Sequence, residues 1–237
     1  MKRAARREFR KNPNAPQTSD DLSRALSLGL IYCEEIGGFA NGVATGLSAN
    51  RLDLELKKWG IGDRSSAVST LDWLRQSGDR AFFDDILLLA LKYANRRERQ
   101  NAAAARYAAS APLLSARADR LAKAVARKKT HPDFPIDQNS LKKGILAWDA
   151  SRLVVVARFA LEKGYIKEET ALALIKNAYD ATIARYDNWR EFANGYLIGA
   201  ALVSGAAKLN LLYSIAKSAL KSDSWSASPL KNDKEKK

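Results

Sequence analysis

Apolar positions recur at helical spacing through most of the chain. Ser19-Asp20-Asp21 is suited to capping a helix start. After it, Leu22, Ala25, Leu26, Leu28, Gly29 and Tyr32 share one side of a helix running to about Ile36 and stopped by Gly37-Gly38. Ser48 opens a second helix with Leu52, Leu54, Leu56 and Trp59, ending at Gly60. Its alternating leucines also fit a strand. Asp63 or Ser65 opens a third, carrying Val68, Leu71, Trp73 and Leu74 and closed at Ser77-Gly78. Asp79 opens a fourth through Phe82, Phe83, Ile86, Leu87 and Leu91.

The pattern changes at residue 96. Twelve of the 25 residues from Ala102 to Ala126 are alanine, with Arg and Lys between them. These are strong helix formers that bury little per turn. They predict an exposed or projecting helical insertion over 96–129, broken near Pro112, followed by a loop over 130–140 that carries two prolines.

Ser140 is expected to cap the next helix, on which Leu141, Ile145, Trp148, Val155, Val156 and Phe159 gather on one side. Arg152 falls in the middle of that apolar side and Asp149 at its rim, and Gly164-Tyr165 ends the helix. A lone charge inside an apolar face is costly to bury, so Arg152 needs a partner, and Asp149 at i,i+3 is the nearest. A further amphipathic helix spans 167–186, with Leu172, Ile175, Tyr179, Ile183 and Tyr186 on one face. Asp187-Asn188 then caps the last long helix, on which Gly195, Gly199 and Ala206 form a line of small residues beside Val203. Such a line lets another helix approach closely. The expectation is an all-α fold of about seven or eight helices: a basic disordered arm (1–18), a single domain (19–222) and a disordered basic tail (223–237). No internal repeat is seen.

Charge sharpens this picture. The formal net charge is +14. It is concentrated at residues 1–11, 96–129 and 231–237, leaving the remainder near neutral. Basic segments of this kind attract polyanions or acidic protein faces. Arg96, Arg97, Arg99, Arg106, Arg117, Arg120, Lys123 and Arg127 are therefore candidate binding residues, together with the Gly195/Gly199 groove. Few aromatics lie among the basic residues, which argues against a base-stacking platform.

The chemical inventory is thin. A single cysteine, Cys33, excludes a disulfide framework and a Cys-rich zinc site; a single histidine, His131, excludes a two-His metal site and argues against a Ser-His-Asp triad. Neither a Gly-rich phosphate loop nor a metal or cofactor motif is present. The basic N-terminus is not followed by an apolar signal segment, and the apolar run Leu197–Ala207 is too short to span a bilayer. A cytoplasmic protein is expected, with export independent of a signal left open. Asp149, Arg152, Arg158 and Tyr196 form the best constellation. As structure, they would be a buried ion pair tying two helices, with Tyr196 donating a hydrogen bond. As a site, Arg152 would grip a phosphate or carboxylate, with Asp149 as base or orienting group. Trp59, Trp73, Trp148 and Trp189 read as core; Trp225 reads as tail or docking residue.

Several stretches resemble a known bacterial family: RALSLGLIYCEEIGG and LSANRLDLELKKWGIGDRSSAVSTLDWLRQSGDRAFF, then AWDASRLVVVARFALEKGYIKEETA, then YDNWREFANGYLIGAAL. Together they are similar to the YbeU/YbeR-like domain of unknown function (family number 1266). The matching positions are Trp59, Trp73, Leu74, Gly78, Arg80, Phe83, Trp148, Asp149, Arg152, Arg158, Gly164, Tyr165, Tyr186, Trp189, Tyr196 and Gly199. The likeness covers roughly residues 24–91 and 144–203, and departs at Ala200, where the family often has Arg, and at Val203, where it tends to have an aromatic residue. It implies a bacterial all-α domain, often encoded near chaperone-like or secretion-linked genes, and no activity. Three functions stay open. The first is an interaction module for an acidic protein partner (adaptor, chaperone-like or immunity-type). The second is an enzyme or effector acting on a phosphate-bearing substrate or nucleic acid through the Asp/Arg site. The third is a nucleic-acid-binding module that uses residues 96–129 and the basic ends.

Overall fold

The computed structural model describes residues 8–127 and 136–231. His131 and the prolines of the expected 130–140 loop lie outside them. Among the described residues the fold is all-helical, without a strand. Among the described residues eleven helices have seven residues or more, above the seven or eight expected. Part of the excess comes from glycines that divide single expected helices. The first expected helix is two, α1 (Asp20–Ser27) and α2 (Leu30–Ile36). At the break, a side chain on Gly29 would press against Val155 and the Leu26 carbonyl. Ser19 caps α1 by accepting from the Leu22 amide.

In α3 (Ala49–Lys58), Leu52 and Leu56 are buried while Leu54 points outward, so the alternating leucines resolve as an i,i+4 pair on a helix. Asp63 opens α4 (Arg64–Gln76) with a reciprocal capping box to Ser66. A 3-10 turn (Asp79–Phe82) leads into α5 (Phe83–Lys92).

The alanine-rich segment is not a projecting insertion. It forms α6 (Arg96–Tyr107) and α7 (Ala111–Ala126), which pack on each other; α7 also packs on α5 and on a later helix, α11 (Trp189–Val203). Ala103, Leu114, Ala118, Leu121 and Ala124 are buried. Small alanines permit this close helix packing, which composition alone had read as weak burial. The helix break lies at Ala108–Ser110, and Pro112 sits in the first turn of α7, where its missing N–H leaves nothing unpaired.

The next helix also starts elsewhere than expected. Asp137, not Ser140, is the N-cap, and it opens the short α8 (Gln138–Lys143). Gly144, at φ 74°, then redirects the chain into α9 (Leu146–Glu162). This helix is buried all the way round from Ala147 to Ala160 and is the axis of the fold. Around it pack α10 (Glu168–Arg185), α11 (Trp189–Val203), α4, α2 and α3. The small-residue groove on α11 is filled by the chain itself. A side chain on Gly199 would overlap Trp148, and one on Gly195 would crowd the Tyr186 hydroxyl. Gly195 and Gly199 therefore serve internal packing and do not offer a surface to a partner.

α12 (Ala206–Ala219) packs on α2 and α11, and the one-turn α13 (Asp223–Ser226) follows. The expected disordered ends are partly ordered. Phe9 joins the core, and Asn12 donates from its amide to Asn41 Oδ1 at 2.7 Å. At the other end, Trp225 is buried and stacks on Trp189, with ring centroids 4.7 Å apart. The Tyr179 hydroxyl donates to the Leu230 carbonyl at 2.7 Å. Large apolar residues in short, loop-like sequence are held by tertiary contacts that helical periodicity does not register. Among the described residues, no helix is long and apolar enough to cross a membrane.

Candidate functional site

Arg152 is buried, and its immediate surroundings come from four elements. Its Nη2 pairs with Asp149 one turn earlier on α9 and, at 2.8 Å, with Asp79 Oδ2 from the 3-10 turn. Its Nε donates to the Trp148 carbonyl at 3.3 Å. The guanidinium carbon lies 4.5 Å from the Trp148 ring centre, 5.4 Å from Trp59 (after α3) and 5.6 Å from Trp73 on α4. Three indoles thus surround one fixed cation, a favourable setting for a weakly hydrated planar charge.

The two carboxylates are saturated. Asp149 is fully buried and accepts from the Asp79 and Arg80 amides, each at 3.1 Å, and from Arg80 Nη1 at 3.0 Å. Gly78, at φ 55°, makes this approach possible, since a side chain there would overlap the carboxylate. Asp79 pairs in turn with Arg117 of α7 at 2.9 Å and accepts from Trp148 Nε1 at 3.1 Å. Burial pushes the Asp79 carboxyl up. The Arg152 and Arg117 charges and the Trp148 N–H outweigh this and hold it below the usual carboxylate range.

Above the guanidinium is a cavity of about 340 Å³, lined by Tyr32, Glu35, Lys58, Trp59, Trp73, Asp79, Arg117, Trp148, Arg152, Tyr196, Val203 and Lys208. Its size falls within the range of small-ligand pockets. Lys208 and Glu35 pair at 2.6 Å, and Lys58 pairs with the buried Glu55 at 2.8 Å. Tyr196 packs its ring edge-on against Trp148, with centroids 5.1 Å apart. Burial raises the pKa of its hydroxyl, as it does that of Tyr32. Both are therefore hydrogen-bond donors at neutral pH.

Of the expected constellation, Asp149, Arg152 and Tyr196 meet here. Tyr196, however, donates no hydrogen bond to any described residue. Arg158 is elsewhere, two turns along α9. It donates to the carbonyls of Val43, Phe39 and Ala44 at 2.7–3.0 Å and to Cys33 Sγ at 2.9 Å, pinning the loop after α2. Burial, the dominant effect on Cys33, raises its thiol pKa. The basic residues divide as well. Arg117 joins the site, Arg99 and Arg96 pair with Asp119, Arg120 donates to the Leu202 carbonyl and Arg127 to Asn210. Arg97, Arg106 and Lys123 are exposed. Sequence reasoning missed Asp79 and the roles of Trp59 and Trp73, and read Arg117 as part of the basic segment without its pairing to Asp79. The Gly78–Arg80 motif carried the available signal. Among the described residues no group of His, Cys, Asp and Glu could hold a metal ion.

These features define a helical domain organised around a buried Arg–Asp–Trp cluster that opens into a cavity. The family described as protein of unknown function (DUF1266) matches residues 56–229, and the chain belongs to it. No curated protein and no solved structure matches the chain.

Proposed function

We propose that this protein is a binding module that takes an anionic group of an acidic partner into the Arg152 cavity. The supporting observation is the state of the guanidinium. Its Nη2 and Nε edges are satisfied by the protein, while no described residue accepts from Nη1, and the side chain lines the cavity. A buried charge with one open edge is suited to charge-assisted hydrogen bonding.

Binding is favoured over turnover because the cavity's acids are already committed. Asp79 is held ionised between two guanidiniums and Glu35 is paired with Lys208, which makes both weak candidates for a general base. The second reading, an enzyme acting on a phosphate-bearing substrate, draws on the ionisable groups ringing Arg152. The YbeU/YbeR likeness, the cytoplasmic location and a toxin-immunity or secretion-linked setting belong to this proposal and not to the family match.

The test is titration of the purified protein with a fluorescent oligo-glutamate peptide. Val203 sits half-exposed at the rim of the cavity, so Val203→Trp plugs it. Binding that is lost in this variant supports the cavity. Binding that persists unchanged contradicts it and points to exposed Arg97, Arg106 and Lys123. Phosphoester hydrolysis abolished by Asp79→Asn in a folded protein would favour the enzyme.

A further inference from the structure

Resting on the proposal that the cavity takes an anion, we infer which kind: a carboxylate attached to a flat aromatic body. Three polar groups that line the cavity keep a donor with no acceptor among the described residues. Arg152 Nη1 has no acceptor among the described residues. The Tyr196 hydroxyl belongs to a side chain 1% exposed and has no hydrogen-bond partner among them. The Tyr32 hydroxyl accepts from Trp59 Nε1 at 2.9 Å and keeps its own hydrogen. Convergent donors without acceptors call for a ligand group that only accepts.

The cavity's cations are already matched by carboxylates, Arg152 and Arg117 by Asp79, Lys208 by Glu35 and Lys58 by Glu55, which leaves little charge to balance a dianion. The Asp79 carboxylate lies on the same guanidinium at 2.8 Å, and Glu35 also lines the cavity. A phosphate dianion would meet both, whereas a carboxylate brings two acceptor oxygens and a single charge. The aromatic body follows from the walls. Trp59 and Trp73 contact no other ring among the described residues, and Trp73 is 38% exposed. Flat apolar faces beside a charge-reading floor suit a ring joined to an acid by a short spacer. A free aryl-alkanoic acid and the C-terminal aromatic residue of a peptide share this chemistry.

The experiment is calorimetric titration of the full chain with 3-(indol-3-yl)propionate, its neutral amide, 3-cyclohexylpropionate, inorganic phosphate, and peptides ending in Trp with a free or amidated terminus. The indole acid is expected to bind, and its amide to bind about tenfold or more weakly, as loss of a charge-assisted hydrogen bond implies. The cyclohexyl acid should also be weaker, and phosphate should not compete. Tyr196→Phe removes a hydroxyl with no protein partner. It should weaken the indole acid several-fold at unchanged melting temperature. Binding of the free-terminus peptide identifies a chain end as the source; binding of the small acid alone identifies a metabolite-sized ligand. Equal binding of acid and amide, of indole and cyclohexyl acids, or competition by phosphate overturns the inference. If oligo-glutamate still binds through the cavity in that case, the anion-binding reading survives; if no carboxylate binds, both fall.

Discussion

Gly78 and Asp149 are fitted to each other: the left-handed backbone at Gly78 turns two consecutive amides onto the Asp149 carboxylate, and leaves no room for a side chain between them. Gly78→Ala should therefore strain the turn and displace a buried carboxylate together. A loss of roughly 2–4 kcal/mol in urea unfolding is expected. A loss below about 0.5 kcal/mol, the range of ordinary surface substitutions, would show that this approach does not hold the site.

Arg152 neutralises two buried acids. Arg152→Met leaves the buried Asp79 and Asp149 short of a cation and should cost about 3–5 kcal/mol. Arg152→Lys keeps the charge without the planar fork, and should be milder in stability yet poor in anion binding. Equal stability of the two variants would contradict the pairing.

Acid should weaken the fold through Asp79. Its folded pKa lies below the usual value, so the unfolded chain takes up a proton first as pH falls. The stabilisation is complete well above the ordinary carboxylate pKa of about 4 and is lost as pH drops through and below it. Urea melts from neutral to acidic pH should show this decline, with a shallower acid limb in Asp79→Asn. Identical acid limbs would assign the decline to other groups.

Trp225 holds the C-terminal segment against the core by stacking on Trp189 and donating to the Ser27 carbonyl at 3.2 Å. Trp225→Ala should cost about 3 kcal/mol or more. It should also speed hydrogen exchange in α1 and over residues 225–231. Unchanged exchange there would mean that the segment is held without it.

The sequence made the helical class and the Asp149–Arg152 relationship legible, because both are local: period 3.6 and an i,i+3 spacing. It hid what depends on distance along the chain. Asp79 stands 70 residues from Asp149, and Arg117 sat within a segment whose alanines suggested exposure. Arg158 shares α9 with Arg152 but serves a loop instead, a difference that helical spacing leaves undecided. The Gly199 line was visible as a groove, yet its occupant, Trp148, belongs to the same chain.

Anion binding turns on the open edge of the Arg152 guanidinium, and arginine side-chain NMR reads it directly. Adding 3-(indol-3-yl)propionate to nitrogen-15-labelled protein should shift the Arg152 Nη signals and slow their hydrogen exchange, leaving Arg97 and Arg106 unchanged. Shifts confined to those exposed arginines, with Arg152 silent, would contradict it.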